Sequence, residues 1–156
     1  MKLAQALIER ADLQRKLAQL GARLQQNAQY QEGEAPAEDP QDLLTDYRRS
    51  AAALTRLIVA INRANHNVTL ADGTTMLAAL AERDRLKAEH AMLGKVADAP
   101  MADQSRYSRS EIRTLAAVDI RALRREADNV AKRCRELDIQ IQQANWENDI
   151  AEEEAG

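Results

Sequence analysis

Apolar residues recur along this chain in steps of three and four, in four separate runs. In the first, Leu3, Ala6, Leu13, Leu17, Leu20 and Leu24 share one side of a helix, with Arg10 interrupting the stripe, which predicts a helix over about residues 2–28. The polar stretch YQEGEAPAEDP, with one Gly and two Pro, must then leave the helix as a loop. Asp39 before Pro40 is a start signal, because Asp accepts from the free amides of the next turn and Pro is preorganised for the first helical position. The second helix follows over about 40–65. Leu44, Tyr47, Ala51, Leu54, Ile58 and Ile61 keep a heptad step there, and Leu43, Leu57 and Val59 widen the apolar face beyond what one neighbour covers. A third helix, about 75–96, carries Leu77, Leu80, Leu86 and Leu93 on a less regular stripe and ends near Gly94. The fourth, about 119–150 and capped by Asp119, runs through Ile120, Leu123, Ala127, Val130, Cys134, Leu137, Ile141 and Ala144 without a break. Asp128 with Lys132, and Lys132 with Glu136, sit four apart on its outer surface.

Between the second and third helices lies NVTLADGTTM, residues 67 to 76, which does not have the helical pattern. Asp72-Gly73 flanked by Val68, Thr69, Thr74 and Thr75 predicts a β-hairpin over about 67–75 with a two-residue turn, since such a turn needs positive φ at both central positions. An isolated hairpin is marginal in water and wants a third strand. The candidate is EIRTLAAV, residues 111–118. Ser108 and Glu111 could instead form a capping box for a short helix there; the reading leans to a strand. The fold class is therefore mainly α in a single domain, 1–156. Long antiparallel helices, as a helical bundle or as coiled-coil hairpins, are joined by a small β-hairpin or three-stranded β element.

Composition agrees with long helices. Aromatics are 3% and Phe is absent, so the interior cannot rest on aromatic bulk. The 22 basic and 25 acidic residues are interspersed, leaving a net charge of -3. Even the basic row Arg121, Arg124, Arg125, Lys132, Arg133 and Arg135 is interleaved with Glu126, Asp128, Glu136 and Asp138, which argues against general nucleic-acid binding. Charges at Glu9, Arg10 and Asp12 interrupt any apolar leader, and no window approaches the roughly 18 apolar residues of a membrane span. A cytoplasmic location is expected, and membrane association is disfavoured.

Candidate chemistry is sparse. Cys134 is alone and falls inside the heptad run, which favours a small buried hydrophobe over a catalytic thiol. His66 and His90 lie on different elements, with no third metal ligand implied by spacing. Trp146 near the end of the last helix reads as a packing knob against another helix or subunit. In RYSRSEIR, Arg106, Arg109 and Arg113 surround Tyr107 and Ser108, and three guanidiniums with hydroxyls nearby could hold a phosphate or carboxylate. No nucleophile triad, phosphate loop or dinucleotide fingerprint is present, so neither catalysis nor a cofactor is expected.

The ordered segments MKLAQALIERADLQRKLAQL, EGEAPAEDP, INRANHNVTLADGTTMLAALAERD, RYSRSEI and QQANWENDI resemble a bacterial family known as septicolysin-like proteins, over nearly the whole chain. The resemblance implies a helical protein with a small β element, and no family active-site residues to carry over. Three readings follow. The first is a non-enzymatic helical protein that assembles with copies of itself, because the apolar faces exceed what the chain can cover. The second is a module binding a small anionic ligand through Arg106, Tyr107, Ser108, Arg109 and Arg113. The third, from the family label, is a membrane-active cytolysin, although no strand is long enough to cross a bilayer and the polar helix faces are mixed in charge.

Overall fold

The computed structural model describes residues 1–99 and 114–151. Four helices carry the chain: α1 (Leu3–Asn27), α2 (Pro40–Asn67), α3 (Met76–Ala97) and α4 (Ile120–Glu147). The protein is thus mainly α. Its residues group into two compact units, Met1–Met76 with the segment from Gln142 onward, and Leu77–Ile141.

In the first unit α1 and α2 run antiparallel. Arg23 is ion-paired with Glu38 at the connecting loop, and Lys16 Nζ lies 3.7 Å from Asp46 Oδ2 further along. The corner is fixed by a buried amide. Asn27 donates to the Arg23 carbonyl at 2.9 Å and accepts from the Glu38 N–H at 3.0 Å, tying the loop before α2 to the last turn of α1. Asp39 then accepts from the Gln41 N–H at 2.8 Å and starts α2 with Pro40 behind it.

The core of this unit gathers Leu3, Ala6, Ala60, Ile61 and Ile150, with Leu7, Leu57 and Ala64 packed against it. Ile150 arrives through a backbone clasp. The Leu3 N–H donates to the Asn148 carbonyl at 2.9 Å, the Ile150 N–H donates to the Met1 carbonyl at 3.0 Å, and Lys2 and Asp149 form an antiparallel bridge. Lys2 Nζ adds a 2.9 Å contact to Asp149 Oδ2.

The segment after α2 is a tight corner. Leu70 N–H donates to the Thr74 carbonyl at 2.8 Å, Gly73 N–H to the Leu70 carbonyl at 2.9 Å and Met76 N–H to the Val68 carbonyl at 2.9 Å, while Val68, Leu70 and Met76 are buried. The expected hairpin of residues 67–75 is not formed: the pairing stops at one antiparallel bridge, Thr69 with Thr75, and no strand occurs among the described residues. The reason lies in the turn. Gly73 has φ +85°, but no described residue other than glycine has positive φ, so Asp72 cannot make the two-residue turn that the sequence suggested. Asp72 instead accepts from the Thr74 N–H at 2.8 Å.

In the second unit α3 and the leading part of α4 also run antiparallel. Arg83 Nη1 meets Asp138 Oδ1 at 3.0 Å, Arg124 Nη2 meets Asp98 Oδ1 at 2.8 Å and Arg133 Nη2 lies 3.7 Å from Glu82 Oε1. Ala79, Leu86, Val130 and Ile141 are buried here. Asp119 caps α4, accepting from the Ala122 N–H at 3.1 Å. The expected strand over 111–118 is not found in its described part: residues 114–118 are exposed and unpaired, and 111–113, with the Ser108–Glu111 capping box, lie outside the described residues. A strand there would have needed the hairpin edge, which is absent.

Candidate functional site

Helix α2 carries two adjacent stripes at heptad spacing. Leu43, Ser50, Leu57 and Ala64 recur every seven residues toward α1, and Leu43 and Ser50 are buried. Leu44, Ala51 and Ile58 recur one position later, roughly 100° further round the helix, and are only half-buried. Both stripes are mainly apolar, so periodicity alone could not say which faces α1; the structure gives that place to the stripe holding the small, polar Ser50. Tyr47, between the two stripes, and Val59, beyond the second, are each 37% exposed. Val59, Asn62, Arg63, His66 and Asn67 line a shallow hollow of about 440 Å³ at the end of the helix.

A second feature of the first unit is an acid-rich notch of about 460 Å³, lined by Arg23, Glu38, Asp39, Asp42, Asp46 and Arg49 among others. Its charges are largely spent on one another. A hydrogen bond from Arg23 holds the Glu38 carboxyl below the usual carboxylate range, and Arg49, aided by Lys16, does the same for Asp46. At the clasp, Lys2 lowers Asp149 in the same way.

In the second unit an open groove of about 490 Å³ runs between α3 and α4, lined by Lys87, His90, Ala131, Cys134, Arg135, Asp138 and Ile139. His90 and Cys134, far apart in sequence, thus share one groove. The signal that could have placed them together is the antiparallel register: Arg83 opposite Asp138 sets Lys87 opposite Cys134 and His90 opposite Ala131. Cys134 is half-buried and free. His66 belongs to the other unit, and no cluster of three His, Cys, Asp or Glu residues among the described residues could hold a metal ion. Trp146 is 53% exposed. The expected anion-binding residues Arg106, Tyr107, Ser108, Arg109 and Arg113 lie outside the described residues.

The class this geometry defines is a mainly α protein of paired antiparallel helices whose described surface features are helix faces and grooves. The chain belongs to a family of unknown function, DUF6847, whose profile matches residues 10–150. No curated protein matches it. It is similar to a functionally unknown conserved protein from Corynebacterium diphtheriae known from a crystal structure, with 38% identity, a TM-score of 0.88 and coverage of 97% of this chain and 99% of that one. These matches overturn the septicolysin-like resemblance: neither the family nor the structural relative carries that description. The lytic activity the label implied loses its basis, and no helix among the described residues is long and apolar enough to cross a membrane.

Proposed function

We propose that this protein is a non-enzymatic helical assembly module that associates with copies of itself through α2. The observation that carries the reading is the second apolar stripe, Leu44, Ala51 and Ile58, set about a quarter turn from the face that packs on α1 and only half-buried. One helix with two apolar stripes calls for two neighbours, and burying the second against an identical stripe gives a self-complementary interface of the kind that closes a twofold dimer. The exposed Tyr47 and Val59 extend that surface, and aromatic residues are favoured anchors at such interfaces. In the assembly the helices would complete a bundle between copies.

The test is size-exclusion chromatography with light scattering, backed by native mass spectrometry. The wild type should run as a discrete oligomer, and Ile58→Glu combined with Val59→Glu should reduce it to a smaller species with its helical circular dichroism retained. A wild type that stays monomeric over a wide concentration range would overturn the proposal.

A further inference from the structure

The groove between α3 and α4 combines two properties that solvated helix surfaces seldom combine. Its floor is apolar, with Ala131 and Cys134 half-buried, and Ile139 stands 67% exposed at its edge. Its rim is cationic. Lys87 and Arg135 supply that charge with His90 beside them, and among the described residues none of the three has an ion-pair or hydrogen-bond partner, whereas neighbouring Arg83, Arg85, Arg124 and Arg133 all have carboxylate partners. The one acid of the lining, Asp138, is already held by Arg83 at 3.0 Å. The uncommitted charge at the groove is therefore positive.

A volume of about 490 Å³ falls in the range of small-molecule sites, in which apolar walls supply area and a few polar groups fix orientation. We propose that this groove binds an amphipathic carboxylate, a single alkyl chain with one anionic head, whose chain lies on Ala131, Cys134 and Ile139 and whose head is met by Lys87 and Arg135. A guanidinium can hold a carboxylate through two parallel hydrogen bonds, and Lys87 adds a second, mobile charge on the opposite helix. A neutral chain would use the floor and leave the cations unanswered. A cationic chain would be repelled by them.

The experiment titrates the full-length protein with decanoate below its critical micelle concentration by calorimetry, with 1-decanol and decyltrimethylammonium as controls and the Ile139 methyl followed by NMR. Decanoate should saturate one site per chain and shift the Ile139 signal. Lys87→Glu with Arg135→Glu, both exposed positions that should leave the helical circular dichroism unchanged, should weaken it by at least about tenfold, with 1-decanol unaffected. Three results would overturn the proposal: no saturable binding, equal binding of decyltrimethylammonium, or charge reversal that changes the oligomeric state while decanoate affinity stays the same. The last would make the groove a contact between copies.

Discussion

The α1/α2 and α3/α4 pairs are built from the same kinds of residue, yet they finish their interiors differently. In the first, a third stretch of backbone lays Ile150 onto Leu3, Ala6, Ala60 and Ile61, and the seam closes at that end. In the second, Leu86, Val130 and Ile141 are buried, but Ala131 and Cys134 stay half-covered and Ile139 stands in solvent. Two helices bury one seam between them; a third segment decides whether what remains is core or groove. The contrast also shows in charge. Glu38 and Asp46 at the first corner are answered by Arg23, Lys16 and Arg49, whereas Lys87 and Arg135 at the groove have no partner among the described residues.

The widest separation between closed and open seams should come from matched truncations. Ile61→Ala, at a position 1% exposed, should cost about 2–5 kcal/mol in urea unfolding, whereas Ile139→Ala, at 67% exposed, should stay within about 0.5 kcal/mol. Equal losses would mean that the groove is core after all. Asn27→Ala removes the acceptor for the Glu38 N–H and the donor to the Arg23 carbonyl, and should lower stability by about 1–3 kcal/mol, again seen as a fall in the urea midpoint. Next comes Gly73→Val. A Cβ there meets no atom within 4 Å, so the loss, about 1–2 kcal/mol, comes from the backbone alone and should show as a lower melting temperature. An unchanged melting temperature would mean that the corner does not need its left-handed residue.

The gentlest probe is acid. Glu38, Asp46, Asp72 and Asp149 in the first unit, and Glu82 in the second, have carboxyls held below their ordinary range by hydrogen bonds from Arg23, Arg49, the Thr74 amide, Lys2 and Arg85 respectively. Such groups bind protons more readily unfolded than folded. Their contribution is complete above the unfolded carboxylate pKa, about 4, and is lost as pH falls through the lower folded values. Hydrogen exchange recorded from neutral pH down through that window should show protection falling in the first unit before the second. Asp149→Asn should flatten the response at the clasp.

Local chemistry was legible in the chain and long-range closure was not. Asp39-Pro40 and Asp119 announce their helix starts because capping involves residues two or three apart, and both caps are made. The breadth of the α2 face was visible too, but two apolar stripes one residue apart carry the same period, so its partner had to be seen. The Asp72-Gly73 pair correctly marked a turn and misled about its extent, because only the glycine adopts positive φ. The groove escaped notice because its two walls meet only through the register of helices separated by a long stretch of chain. The clasp left no sequence pattern at all: Lys2 and Asp149 are 147 positions apart.

That separation sets an order of events. Helices α1 and α2 are near neighbours in sequence and can pair as soon as both exist, whereas the strand-like contact of Met1–Lys2 with Asp149–Ile150 must wait for almost every intervening residue. The entropy of closing so large a loop rises only as the logarithm of its length, so the delay weighs on timing more than on the final balance. A nascent chain can therefore pack Leu3, Ala6, Ala60 and Ile61 on one another early, but that cluster lacks the cover of Ile150 until residue 150 has been synthesised. During that interval the open end of the first helix pair is apolar surface that a chaperone can hold.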